Sequence, residues 1–122
     1  MTANDQMRAI VEGQAAAWAG GDADAIAEAF ADPCLFIAPG LRLTSPAEVR
    51  RAALDYFARF SETRLEMRRL VVQRAAAAVE WTWRHVDRET GEAHRADDAI
   101  VLQVMDGKIV YWREYIDSAS GA

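Results

Sequence analysis

Val79-Glu80-Trp81-Thr82-Trp83-Arg84-His85 is the stretch that decides how this chain folds. Its side chains alternate, apolar or ring-bearing then polar, with the period of two that marks a half-buried β-strand. Val, Thr and Trp are also strong strand formers. Working toward the C-terminus, Glu89-Thr90-Gly91-Glu92 supplies a turn, and His94 to Met105 reads as a returning strand. Asp106-Gly107 is a hairpin signal, and a last strand runs from Ile109 to Asp117. Toward the N-terminus, Leu65 and Met67 alternate with charged residues, which predicts a first long strand after Ser61 that ends near Gln73. The four alanines Ala75 to Ala78 read as a tight turn entering the second strand.

Before Ser61 the period is helical. Thr2 caps a segment in which Met7, Ile10, Val11, Ala15 and Trp18 follow helical spacing, and Gly20-Gly21 stops it. Asp22 caps a short second helix that carries Ile26, Ala29 and Phe30 and ends before Pro33. Leu35 to Ala38 is extended and runs into the turn Pro39-Gly40. Ser45-Pro46-Ala47-Glu48 combines an N-cap serine, a proline at the first helical position and a capping-box glutamate. The helix behind it puts Val49, Ala52, Ala53, Tyr56, Phe57 and Phe60 on one broad face. Helices followed by an antiparallel meander predict an α+β fold, a single domain over residues 1–122, with the helices on one face of the sheet.

Composition narrows the function. Of 122 residues, 52% are hydrophobic and 27% charged, enough apolar mass for a core. A net charge of −5 argues against a nucleic-acid partner or an anionic membrane surface. Cys34 is the single cysteine, so neither an internal disulfide nor a paired-cysteine metal site is expected, and it reads as a core residue. The polar N-terminus lacks a signal pattern and no apolar run reaches membrane length, so a soluble, cytoplasmic protein is expected. Ser118 to Ala122 reads as a loose tail. There is no glycine-rich phosphate loop and no nucleophile-elbow motif, and no cofactor is expected.

Strand parity then selects a working face. Trp81, Trp83 and His85 share one face of the second strand, with Asp98, Ile100 and Leu102 on the third and Trp112, Glu114 and Ile116 on the fourth. Three polar groups, His85, Asp98 and Glu114, therefore intrude on an aromatic face that the helices should cover. A three-residue turn at Met105-Asp106-Gly107 would set Asp98 directly across from Glu114. Two neighbouring acids under tryptophans cannot both ionise cheaply, so one should keep its proton, a plausible acid-base device with an imidazole nearby. The competing reading is a buried polar network that only fixes register, or a rim salt bridge to a nearby arginine. His85 and His94 facing each other across the hairpin, with Asp98, form a weak metal-site pattern without a spacing motif, and no metal is expected.

The order helix, Gly20-Gly21-Asp22, short helix ending Phe30-Ala31-Asp32, capped helix and long meander resembles the nuclear transport factor 2-like superfamily. Asp106-Gly107-Lys108-Ile109 with Trp112-Arg113-Glu114-Tyr115-Ile116-Asp117 is similar to its SnoaL-like branch. The resemblance implies a cone, a curved antiparallel sheet wrapping the helices around a deep apolar pocket, commonly dimeric. It sets Ala38 where ketosteroid isomerases hold their base, Gln14 near their oxyanion tyrosine and Asp98 near their oxyanion aspartate. Against limonene-epoxide hydrolases, Trp81 and Trp83 stand at the Arg and Asp positions, and Phe36 and Ala38 at the Tyr and Asn positions. There Glu114 replaces the last-strand aspartate. Both mechanisms are thereby disfavoured. The resemblance also implies pocket-wall positions for Ala15, Trp18, Tyr56, Phe60 and Leu65, joining Trp81, Trp83, Ile100 and Trp112 from parity.

The expectation is a cofactor-independent isomerase, cyclase or dehydratase acting on a small apolar or aromatic metabolite. Glu114 would be the base, Asp98 the protonated donor and His85 an orienter or second acid. The alternative is a non-catalytic ligand carrier or a dimeric interaction module of the same fold. Tyr111, Arg113 and Tyr115 on the outer sheet face would suit a homodimer contact.

Overall fold

A computed structural model describes residues 2–118, so that of the expected tail only Ser118 lies within the described residues. The first helix, α1 (Ala3–Ala19), starts where its cap dictates. The Asp5 N–H donates to Thr2 Oγ1 at 3.1 Å and the Thr2 N–H donates to Asp5 Oδ2 at 3.2 Å, a reciprocal pair that satisfies two end donors. Met7, Val11, Gln14 and Trp18 fall on the buried stripe. After Gly20, Gly21 takes φ +68, the left-handed conformation that turns the chain out of the helix.

The second helix, α2 (Ala23–Glu28), is shorter than its sequence suggests. Phe30 does not belong to it but opens strand β1 (Phe30–Ala38), so the extended piece expected from Leu35 starts five residues earlier. Two forces explain this. Pro33 disfavours a helical predecessor, and the Ile109 N–H donates to the Ala29 carbonyl at 2.8 Å, drawing the chain alongside the last strand. A short hairpin leads to β2 (Leu41–Leu43), and α3 (Pro46–Arg59) follows its Ser45 cap. Glu48 turns its carboxylate to the Thr44 N–H at 2.8 Å, one residue upstream of the expected reciprocal partner, and these hydrogen bonds hold its pKa below the usual value.

The remaining strands are β3 (Phe60–Gln73), β4 (Ala76–Asp87), β5 (Ala93–Met105) and β6 (Lys108–Asp117). They form one six-stranded sheet in the order β2-β1-β6-β5-β4-β3, antiparallel except where β1 runs parallel to β6. Phe60 belongs to β3 rather than to the face of α3, because Glu62 at φ +54 and a register shift let the chain pass straight from helix to strand. The alanine run is mostly strand. Only Arg74 and Ala75 turn, and Ala76, Ala77 and Ala78 pair with Gln73, Val72 and Val71. Cross-strand pairing has overridden alanine's low strand propensity.

The β5–β6 connection differs from expectation in a way that matters for the site. The turn has two residues, Asp106 and Gly107, both at positive φ, and joins the pair Met105 and Lys108. Such a turn alone would put the wrong face of β6 inward. A β-bulge between the pairs Gln103–Tyr111 and Val104–Ile109 leaves Val110 as the extra residue and restores the parity. Beyond it Leu102 pairs with Trp112, Ile100 with Glu114, and Asp98 with Ile116. Asp98 and Glu114 therefore share the inner face as diagonal neighbours rather than facing each other.

The core lies between the inner face and the helices, with Trp81, Trp112, Ile100 and Leu102 almost completely buried. No helix of the described residues is long and apolar enough to cross a membrane.

Candidate functional site: an apolar cavity with two polar ends

A cavity of about 230 Å³ remains between the inner sheet face and the helices. Trp18 of α1, Val49, Ala52 and Tyr56 of α3, and the β1–β2 residues Phe36, Ala38, Leu41 and Leu43 form one side. Trp83, His85, Ala96, Asp98, Glu114 and Ile116 from the long strands form the other. Trp18, Tyr56 and Trp83 pack edge to face with centroids 5.5–5.6 Å apart, so the aromatic wall is rigid.

The two acids occupy one end. Burial pushes the Asp98 carboxyl up to about 6, against the lowering influence of the Trp81 indole beside it and with a further push from Asp97. That indole makes no well-formed hydrogen bond, and both Trp81 Nε1 and Asp98 Oδ1 are buried without a partner. Burial pushes Glu114 up to about 7; the Trp112 N–H donates to its Oε1 at 2.9 Å and draws it down, while the Asp98 charge draws it up. Apolar walls thus hold two carboxyls close to neutral pH, where a proton can be taken or given.

The imidazole stands apart. His85 pairs with His94, four positions along β5 from Asp98, about 13 Å at the usual strand rise. Its hydrogen bonds go to Tyr56 Oη, 2.6 Å from Nδ1, and to the Trp83 N–H at 3.3 Å. Tyr56 in turn meets Thr63 Oγ1 at 3.0 Å and receives the Trp83 N–H at 2.8 Å. Phe60 stacks on the imidazole at 4.0 Å. Burial pushes the His85 pKa down and the Tyr56 pKa up, so both side chains are neutral at pH 7. The rings of His85 and His94 lie 5.8 Å apart, edge to face. Among the described residues no three His, Cys, Asp or Glu side chains group as metal ligands. Cys34 is buried, and burial raises its thiol pKa.

Of the residues expected around the pocket, Trp18, Phe36, Ala38, Tyr56, Trp83, His85, Asp98 and Glu114 line it. Trp81, Ile100 and Trp112 lie behind the wall, at 1%, 0% and 0% exposure. Gln14 is buried and donates to the Ile26 carbonyl at 3.2 Å. Ala15 and Leu65 pack against the core instead, and Phe60 backs His85. Parity identifies a face but not which of its positions the helices seal. Leu41, Leu43, Val49, Ala52, Ala96 and Ile116 also line the cavity, and of these strand parity already put Ile116 on the working face. The apolar face of α3 already held Val49 and Ala52. Thr63 had no signal, since it precedes the alternating part of β3.

On the outer face, Arg113 lies over the Tyr115 ring at 5.0 Å, and Val71, Val101 and Tyr115 are exposed. Residues 11–112 match the SnoaL-like domain family. Among curated proteins, none matches the sequence. A hypothetical protein with a ketosteroid isomerase-like fold from Catenulispora acidiphila, solved with trimethylamine, is similar at TM-score 0.85 and 16% identity, covering 92% of this chain and 88% of that one. An LEH-like epoxide hydrolase of M. tuberculosis is similar at TM-score 0.80 and 22% identity, covering 93% and 84%. A nuclear transport factor 2-like protein from Burkholderia thailandensis is similar at TM-score 0.78 and 19% identity, covering 91% and 90%. At these identities the likeness is one of fold.

Proposed function

The chain belongs to the SnoaL-like domain family of the nuclear transport factor 2-like superfamily, and from its cavity we propose a cofactor-independent acid-base enzyme for a small, largely apolar metabolite. The observation that carries this reading is the pair Asp98 and Glu114, both raised toward neutral pH on the wall of an apolar cavity. Glu114 is the base and Asp98 the donor. The Trp112 N–H on Glu114 favours its carboxylate, whereas Asp98 Oδ1, buried with no donor, favours the neutral acid. Burial works the other way, holding Glu114 at about 7 against about 6 for Asp98. The resting proton therefore sits mainly on Glu114, and the working form is the one in which it has passed to Asp98. In the reaction, Glu114 takes a proton from a carbon next to a carbonyl. The Asp98 O–H hydrogen-bonds the oxygen as enolate charge develops. Returning the proton to another carbon isomerises the substrate. Passing the proton from Glu114 to a departing β-hydroxyl expels water and dehydrates the substrate; attack of the enolate carbon on a second carbonyl closes a ring, and the new alkoxide takes the Glu114 proton.

The chemistry needs one proton on the pair. Below about pH 6 both acids are protonated and the base is lost; above about pH 7 both are ionised and the donor is lost. Activity should therefore peak between these values. Ala38 stands on the cavity wall, so a base supplied from that position plays no part. The test is turnover on a panel of small aromatic and alicyclic ketones. Glu114→Gln and Asp98→Asn should each lower kcat about 10²- to 10⁴-fold; unchanged turnover in both rejects the assignment.

A ligand carrier is the second reading, favoured by Ala38 at the base position and by walls that are mostly apolar. Binding without turnover in the same panel would select it. In either reading the exposed outer face, with Tyr111, Arg113, Tyr115, Val71 and Val101, would join two copies of the chain. Tyr115→Glu should shift the protein to monomer in sedimentation, and an unaltered dimer would reject this face.

A further inference from the structure

We infer that Tyr56 and Trp83 fix His85 as the neutral imidazole with its hydrogen on Nε2, so that the ring serves as a hydrogen-bond donor and selects ligands carrying an acceptor atom. The inference rests on the cavity being a ligand site, but not on the chemistry of the acid pair.

The argument turns on Trp83. An indole N–H can only donate. Trp83 Nε1 lies 2.8 Å from Tyr56 Oη and 3.3 Å from His85 Nδ1, with its hydrogen shared between them. Two proton arrangements would satisfy the Tyr56–His85 contact taken by itself. In one, Thr63 donates to Tyr56 and Tyr56 donates to Nδ1. In the other, Nδ1–H donates to Tyr56 and Tyr56 donates to Thr63. The second arrangement sets the Nδ1 hydrogen against the Trp83 hydrogen at 3.3 Å in a half-buried site. In the first, the Thr63, Tyr56 and Trp83 hydrogens each meet an acceptor, the Nε2 hydrogen is left for a ligand, and Tyr56, kept neutral by burial, has the proton it needs to give.

The neighbours oppose a second hydrogen on the ring. Phe60 lies flat against the imidazole at 4.0 Å, with the Arg59 guanidinium 5.0 Å from the Phe60 centroid. His94 stands edge-on at 5.8 Å. Arg59 and His94 both disfavour an imidazolium, and Asp87 favours it. The ring is therefore a fixed donor. It borders both the apolar cavity and an open cleft beside Arg59, Asp87 and His94. A ligand reaching it gains from a carbonyl, ester or phenolic oxygen and gains nothing there from a hydrocarbon end.

Long-range ¹H–¹⁵N spectra of the wild-type protein test the tautomer without any variant having to fold. His85 should show an unprotonated Nδ1 and a protonated Nε2 at pH 7, and Tyr56→Phe should move the pair toward an average of the two forms. A protonated Nδ1, or averaging in the wild type, overturns the inference. The selection is tested with acetophenone against ethylbenzene, followed by quenching of the cavity tryptophans. Acetophenone should bind about two- to tenfold tighter, and in an Asp98→Asn background, where the other proposed donor is gone, His85→Phe should abolish the difference. Equal affinity, or no binding of either, overturns the selection. Failure of Glu114→Gln to reduce turnover would remove the proposed chemistry while leaving these results intact.

Discussion

The two ends of the cavity hold their polar groups in opposite ways. At the His85 end, Tyr56, Trp83 and Thr63 complete a network in which each donor meets an acceptor. At the acid end, Asp98 Oδ1 and Trp81 Nε1 are buried without partners among the described residues, and the Trp112 indole donates to Glu114. A satisfied network fixes orientation at little standing cost, whereas an under-satisfied pair leaves the fold carrying a desolvation penalty whenever it ionises. The difference teaches that polar groups in one apolar cavity can serve different ends, one positioned and one poised.

The largest way to break this contrast is pH. Folded-state pKa values of about 6 for Asp98 and 7 for Glu114 lie above the ordinary 3.8 and 4.5, so the folded state binds protons more tightly than the unfolded one. Their contribution to stability is present below about pH 4 and is lost as pH rises through 6 and 7. The double variant Asp98→Asn, Glu114→Gln should therefore gain on the wild type as pH rises, by up to about 6 kcal/mol at pH 8 relative to pH 4. Thermal melts at both values measure it. A constant difference would show that the acids ionise without penalty.

At the other end the effects should be smaller. Thr63→Val removes a donor from Tyr56 but leaves its bond to His85, and should cost about 1 kcal/mol in denaturant unfolding. A loss of several kcal/mol would show that Thr63 anchors the whole network. The smallest effect belongs to Arg59→Ala, which takes away a cation that disfavours the imidazolium. The His85 pKa should rise only slightly, because the charge is mostly solvated. Proton NMR titration reads this shift, and a fall would contradict the placement of Arg59 over Phe60.

Much of the fold was legible because its signals are local. Thr2, Ser45-Pro46 and the alternation around Trp81 and Trp83 each specify their element within a few residues. What escaped depends on distant partners. Phe30 enters β1 because β6 lies alongside, and Ala76 to Ala78 become strand because Val71 and Val72 pair with them. The same holds for the site. Alternation put Asp98, Glu114 and His85 on one face, but it could not say that His85 would be bound by Tyr56 and Trp83 some distance from the acids. Nor could it show that Trp81 and Trp112 would lie behind the wall, since that follows from how closely the helices cover the sheet.

Val110 touches no part of the proposed chemistry, yet the identity of the inward residues on β6 hangs on it. The two-residue turn at Asp106-Gly107 and the extra residue at Val110 are two phase errors that cancel. Were Val110 paired into the ladder instead, Ile100 would meet Arg113 and Asp98 would meet Tyr115, replacing Glu114 at the cavity by a cation or a phenol. A chain with a three-residue turn and no bulge would present the same inward set, displaced by one row. When turn and bulge lengths are changed, it is their combined parity that preserves the site.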